Sequence, residues 1–263
     1  MFCLASFMAF AQIHDTTLYR QNNVKSVSQW VHMLGFEKSN DTCLSNVKHI
    51  NKKGSPTYIK IDYHCQGWDI ITELRYTYND NNDVTGLSTI RNDEVISDLK
   101  MELDSFGRIR TEINTFFDPP GQVEVRNVYF GEGKNADSVY TVEINDKDTT
   151  YLVTKNTYVG DNLLKSNTTD VNANKPVNML TNRYDKKGRI ARTEFIYFLG
   201  YDNDDITLFE YNEKDQIIKT KSELTDLAAE FYYDKSGLPI KTFYYNKFGT
   251  LEREVWYKYE YYE

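Results

Sequence analysis

The stretch Tyr233-Asp-Lys-Ser-Gly237-Leu-Pro-Ile-Lys-Thr-Phe-Tyr-Tyr245-Asn-Lys-Phe-Gly249-Thr-Leu251 decides the fold. It repeats one device at 233 and 245: an aromatic residue, Asp or Asn, two further residues, then Gly. Asp or Asn at the first turn position accepts hydrogen bonds from backbone N–H groups two or three residues on. Gly at the fourth position takes the positive φ that a type I turn followed by a bulge demands. The tyrosine ends one strand and faces its neighbours across the sheet. Beyond the second turn the chain alternates as a strand should. From Leu251 the odd positions Arg253, Val255, Tyr257, Tyr259 and Tyr261 are mainly apolar and aromatic. The even positions Glu252, Glu254, Lys258 and Glu260 are charged around the single Trp256.

Working outward, the same punctuation recurs at Tyr184-DKKGRI and Tyr211-NEKDQI, and in weaker form at Ile50-NKKGSP, Tyr78-NDNNDV and Leu103-DSFGRI. The uneven spacing of the copies describes hairpins of variable arm length, not a strict solenoid rung. Where Gly is missing, Asp215 and Asp83 are expected to take the left-handed conformation. Other strand candidates run over 58–65, 68–78, 109–117, 123–130, 139–144, 151–155, 190–199 and 206–211, with an evident turn at Asp118-Pro-Pro-Gly121. Val27 to Leu34 carries partial helical spacing, but its β-branched pattern favours a strand. The Asn-, Thr- and Asp-rich stretch 160–176 reads as a long loop or a joint between two halves.

Roughly 18 strands at about 4.8 Å would make a flat sheet on the order of 85 Å wide. Open sheets rarely exceed about ten strands without curling or splitting. The expected fold is therefore all-β: an elongated, twisted antiparallel sheet of consecutive hairpin repeats, one domain over residues 12–263. Its Lys- and Glu-bearing arms would protect the edges.

The hairpins YDKKGRI (184–190) and YDKSGLP (233–239) resemble the YD repeats of Rhs-type bacterial surface proteins. They are also similar to short secreted bacterial repeat proteins of unknown function that share the Phe10-Ala11-Gln12 leader ending. The resemblance is sharpest from about residue 177 onward. It implies hairpin architecture and an exported location, and it carries over no catalytic residue.

The bulk composition excludes several partners. With 31 Lys and Arg against 39 Asp and Glu, the net charge is −8. That balance argues against nucleic acid, which needs clustered cations, and against docking on anionic lipid. The 21 Tyr, 14 Phe and 3 Trp, at a mean hydropathy of −0.63, suit half-wet surfaces where the ring packs and the hydroxyl reaches water. Phe2 to Ala11 is an uncharged apolar run ending in Ala9-Phe10-Ala11 before Gln12, a small-x-small cleavage pattern. Residues 1–11 are read as the remnant of a signal peptide whose true start lies upstream. The run is too short to span a bilayer, so no membrane insertion is expected after processing. The destination is the periplasm, cell surface or extracellular space.

Export leaves Cys43 and Cys65 as a disulfide candidate. If Asn51-Lys-Lys-Gly54 is a turn, the two cysteines lie on one face of the hairpin, directly opposite or diagonal. The alternative is a pair of free thiols beside Val47 and Ile61.

Catalytic signatures are missing. His14, His32, His49 and His64 show no zinc-ligand spacing, and no HExxH, CxxC, GxSxG elbow or phosphate-binding glycine loop occurs. The acidic groups Asn79–Asp83, Asp170–Asn174 and Asp202–Asp205 place oxygens on short loops as calcium would like, but solvated turns explain them; neither metal nor cofactor is expected. The remaining constellation is aromatic, in Phe231-Tyr-Tyr233, Phe243-Tyr-Tyr245 and Trp256 to Tyr262. Tyr232, Tyr244, Trp256, Tyr257 and Tyr259 are the binding candidates, for a glycan or a protein. The plain alternative is that cross-strand tyrosine pairs hold a thin sheet together. The expected function is an exported, non-catalytic scaffold or binding surface. The alternatives are a secreted glycan-active hydrolase and an immunity-type protein that blocks a toxin.

Overall fold

A computed structural model describes residues 16–34, 42–131, 133–145, 147–198 and 204–263. The signal-peptide reading of 1–11 lies outside them, as do His14, Asp202 and Asn203. One short helix, α1 (Thr16–Gln21), precedes the strands β1 (Val24–Met33), β2 (Cys43–Ile50), β3 (Pro56–Asp62) and β4 (Ile71–Tyr78). There follow β5 (Val84–Arg91), β6 (Glu94–Leu103), β7 (Ile109–Phe117), β8 (Pro120–Phe130) and β9 (Ser138–Asn145). Next come β10 (Thr149–Val159), β11 (Asn162–Asp170), β12 (Lys175–Tyr184), β13 (Ile190–Tyr197) and β14 (Asp205–Tyr211). The last are β15 (Ile217–Ser222), β16 (Ala228–Tyr233), β17 (Pro239–Tyr245) and β18 (Leu251–Tyr261).

The all-β reading holds, but the expected open sheet does not. Each strand pairs with its neighbours in sequence, and β1 pairs with β18 as well as with β2, so the 18-stranded antiparallel ladder closes into a barrel. The closing register runs from Val24 opposite Tyr261 to Met33 opposite Arg253. An open sheet would leave two rows of unpaired N–H and C=O groups; pairing the first strand with the last satisfies both. The Asp-x-x-Gly motif specifies each turn locally and carries no information on whether the ends meet. The stretch 160–176 is not a loop: it contains β11, with Thr154 and Thr168 hydroxyls 3.0 Å apart across the β10–β11 pair. Val24–Met33 is a strand, as its β-branched residues suggested.

The turns follow the motif's chemistry. The Oδ1 of Asp185 accepts from the N–H groups of Lys187 (2.8 Å) and Arg189 (3.0 Å), and Gly188 sits at φ +79°. Asp104, Asn212, Asp234, Asn246 and Asn51 do the same in their own turns. Asp215 takes the glycine's role at φ +62°. In the Tyr78 copy the left-handed residue is Asn82, φ +68°, not Asp83. Asn82 stands fourth after the aromatic residue, as the other copies require.

The turns of Asn51, Asp104, Asp185, Asp234 and Asn246 each adjoin a bulge, and such irregular strand starts give the tyrosines a role. At four strand starts a backbone carbonyl is met by a tyrosine hydroxyl from the following strand. Tyr129 donates to Ile109 (2.8 Å), Tyr184 to Leu163 (2.8 Å), Tyr233 to Ile217 (2.6 Å) and Tyr259 to Pro239 (2.6 Å). Asn127 and Asn182 are second donors to two of these carbonyls, each at 3.0 Å. Thr141 and Thr193 in turn donate to the Asn127 and Asn182 side-chain oxygens. Either donor alone keeps the Leu163 carbonyl satisfied, so Tyr184→Phe and Asn182→Ala are each expected to cost about 1 kcal/mol. The double variant should cost about 1 kcal/mol more than their sum, because it strands the acceptor. Urea melts of the four proteins measure this coupling, and simple additivity would contradict it.

The chain forms two compact units. The first comprises residues 1–76, 89–94 and 208–263; the second comprises 77–88 and 95–207. In the first, α1 lays Tyr19 against Val24, Val27, Ile50 and Leu238, with Leu18, Tyr257 and Tyr259 around them. A second apolar cluster joins Ile217, Ala229 and Phe231. Cross-strand register puts Val27 opposite Tyr259 and Lys48, and Val255 opposite Val31 and Thr242, so these residues share the helix-bearing face. The second unit is held differently, by the Asn, Thr and Tyr hydrogen bonds just described, with Asn182 and Thr168 buried.

Candidate functional site

In the first unit the opposite, solvent-facing side is built by register. Tyr232 stands opposite Lys241, Lys241 opposite Trp256, and Trp256 opposite Trp30, one row across β16, β17, β18 and β1. The neighbouring row is Glu230, Phe243, Glu254 and His32. The five aromatic residues singled out from sequence therefore do not form one strip. Tyr232 and Trp256 lie on the solvent face, 44% and 42% exposed. Tyr244, Tyr257 and Tyr259 have the opposite parity and belong to the helix-bearing side. There Tyr259 donates to the Pro239 carbonyl, Tyr257 meets the Thr242 hydroxyl at 3.2 Å, and the Arg253 guanidinium covers the Tyr244 ring at 4.0 Å. Burial pushes the Tyr257 and Tyr259 hydroxyls far above the usual phenol range, and raises Tyr233 to about 12.

Residues that sequence reasoning missed complete the solvent face. The Lys241 ammonium lies 4.0 Å over Phe243 and 3.9 Å over Trp256, and 3.5 Å from Glu254. Lys258 covers Trp30 at 4.6 Å. Such contacts contribute about 0.5–1 kcal/mol each at exposed sites, and they fix the rings in place. Glu230 accepts from Tyr245 (3.1 Å) and Tyr232 (3.3 Å) and lies 3.6 Å from Lys219. Tyr232 and Phe243 meet in a T-shape with centroids 5.3 Å apart. Beside Tyr232 opens a groove of about 790 Å³, floored by Ile218, Lys219 and Glu230 and walled by the Asn212–Lys214 turn.

The other candidates are accounted for by local structure. His64 bridges two carboxylates, Asp62 at 2.5 Å and Asp69 at 2.6 Å. Carboxylates only accept, so both ring nitrogens donate; these hydrogen bonds raise its pKa and make it a clamp on its loop. His49 packs against the Tyr58 ring, centroids 5.1 Å apart. Asn79 and Asp170 cap their own turns. Among the described residues, no three His, Cys, Asp or Glu side chains gather as a metal site.

Cys43 and Cys65 are joined by a disulfide, with Cα atoms 5.9 Å apart. The route differs from the expected hairpin pairing. The bulge between His49 and Ile50 shifts the ladder so that Lys48 pairs with Ile59, and β3 ends before Cys65. A single 3₁₀ turn, His64–Gln66, carries Cys65 back to the start of β2. The bond closes a loop of 22 residues, and its loss should cost about 3 kcal/mol. Denatured but unreduced mature protein should show no free thiol; finding two would contradict the bond.

No protein-family model matches the sequence, and no curated protein matches it. Among solved structures the chain is similar to a porin-like protein from Bacteroides uniformis ATCC 8492, with TM-score 0.47 and 8% identity over 90% of this chain and 98% of that one. It is also similar to part of TcdB2-TccC3, with TM-score 0.35 and 10% identity, covering 86% of this chain and 15% of that one. Neither likeness assigns a function. The turn geometry is compatible with the YD-repeat resemblance.

Proposed function

We propose that the chain is an exported, non-catalytic protein of the cell envelope or extracellular space that binds a glycan or protein through its solvent-facing row. The observation that carries this reading is the persistence of Tyr232 and Trp256 as ordered, 44% and 42% exposed rings beside an open groove. The closed ladder supports it indirectly: without free edges a partner cannot add a strand, and recognition falls to side chains. Export rests on the Ala9-Phe10-Ala11 pattern, with the disulfide in keeping.

This face is unsuited to lipid. A lipid-facing barrel surface is an apolar band, where Lys or Arg at mid-depth costs about 2–4 kcal/mol. Here a row of Glu73, Lys60, Val47, Ser28 and Lys258 runs beside the aromatic one. The hydrolase reading is also disfavoured. A glycosidase acid sits in a pocket that desolvates it, whereas Glu230 and Glu254 stand on an open face beside Lys219 and Lys241.

The test is a glycan-array and envelope-protein screen of the mature chain beside a Tyr232→Ala/Trp256→Ala variant of matched melting temperature. The reading expects a specific signal that the variant loses, without shortening of any bound polymer. Full binding by the variant, or turnover, would contradict it. N-terminal sequencing from the native host should begin near Gln12; an intact leader on cytoplasmic protein would refute export.

A further inference from the structure

The rings of the solvent face are not equally available. Lys241 lies between Phe243 and Trp256, and Lys258 covers Trp30, so three rings each carry an ammonium on a face. The T-shaped contact with Phe243 takes up at most one face of Tyr232. Its hydroxyl is tied to Glu230, which holds the ring at a set angle beside the groove.

The groove itself, about 790 Å³, lies within the usual range of small-ligand sites, about 300–1,000 Å³. Its walls are preorganised. Asn212 caps its own turn through the N–H groups of Lys214 (2.9 Å) and Gln216 (3.0 Å), and Gln216 donates to the Gly237 carbonyl of the next turn at 3.1 Å. Four carboxylates line it, Glu210, Glu213, Glu230 and Asp234, against the two ammonium groups of Lys214 and Lys219. That excess repels polyanions, whether nucleic acid, phosphate headgroups or acidic polysaccharides. Ile218 and Tyr232, 37% and 44% exposed, offer too little apolar area for the anchor of a protein interface. A free aromatic face amid dense acceptors and donors fits hydroxyl-rich rings, whose C–H faces stack and whose O–H groups both donate and accept.

We propose that this groove takes a neutral, extended oligosaccharide, with the Tyr232 ring as its stacking platform. The inference rests on the reading of the solvent face as a binding surface and names its ligand class. Titration calorimetry of the mature chain with a panel of neutral gluco-, manno- and xylo-oligosaccharides should find at least one that binds. Tyr232→Ala should weaken it tenfold or more and Tyr232→Trp should restore it, while Phe130→Ala, an exposed ring of the second unit, should change it less than threefold. Ile218→Arg, which fills the groove floor without altering the row, is expected to match Tyr232→Ala and guards against a folding defect. Affinity kept within threefold in both groove variants would overturn the proposal, as would preference for polygalacturonate. If no saccharide binds but an envelope protein does, and Trp256→Ala abolishes that, the oligosaccharide inference falls while the binding-face reading stands. If neither class binds, both fall.

Discussion

Gly54→Ala should destabilise the protein by about 3 kcal/mol or more and unseat helix α1. Gly54 sits at φ +91°, where a Cβ is strained, a cost of roughly 1 kcal/mol. The greater cost comes from contact. A Cβ there would lie 1.9 Å from the Thr16 carbonyl oxygen and 3.2 Å from Arg20 Cβ. The obstacle is helix backbone, which cannot rotate aside as a side-chain tip can, so α1 must lift. Lifting it exposes Tyr19, which is packed on Val24, Val27, Ile50 and Leu238, and losing that burial costs about 1.5–3 kcal/mol. Gly107→Ala is the control: φ is +77° but nothing lies within 4 Å of the added carbon, so only the backbone strain of about 1 kcal/mol remains. Denaturant melts compare the two, and proteolysis at Arg20 reports the helix. Equal losses would show that α1 does not rest on the Asn51–Gly54 turn.

The second large effect belongs to Lys48. It is 5% exposed on the helix-bearing face, between Val27 and Ile59, and burial lowers its pKa from 10.5 to about 7. The unfolded chain therefore binds more protons than the folded one between about pH 7 and 10.5, and stability rises with pH across that window. The full penalty, at about 1.4 kcal/mol per pH unit, is of order 4 kcal/mol and is present at and below neutrality. Tyr257 and Tyr259 act with the opposite sign. Burial raises their pKa values, so the folded state keeps protons that the unfolded state loses above about pH 10, and stability falls there. The expected profile climbs from pH 7, peaks near pH 10 and then declines. Lys48→Met should remove the climb, leaving only the decline above about pH 10 that the two tyrosines set. Urea melts from pH 6 to 11 decide this; a variant that keeps the climb would contradict the assignment.

The local part of the fold was legible because its determinants are local. Asp185, Gly188 and their counterparts specify a turn through bonds spanning four residues, and strand alternation follows from the pleat. Closure was not legible, since Trp30 opposite Trp256 depends on residues far apart in sequence. Helix α1 is six residues long and rests on the shelf offered by Gly54 and Leu238, a contact between segments far apart in sequence. The site was half legible for a related reason. Alternation from Leu251 separates Trp256 from Tyr257 and Tyr259 correctly. It does not carry across the bulges at Tyr232/Tyr233 and Tyr244/Tyr245, so Tyr232 and Tyr244 could be sorted to their faces only by register. Lys241 and Trp30 join the row for the same reason. The disulfide shows the converse: the two cysteines do meet, but through a 3₁₀ turn that the hairpin pattern did not contain.

Closure of the ladder requires that β18 pair with β1, and that pairing completes the solvent-facing row by setting Trp30 beside Trp256. Amide hydrogen exchange across Ser28–Val31 and Val255–Lys258 tests this most directly. In a closed ladder, consecutive amides on both strands are bonded, alternately to one neighbour and the other, and all should exchange as slowly as those of β17. Fast exchange at every second amide of β1 and β18 would mean that the ends of the sheet stay open, and would contradict the account.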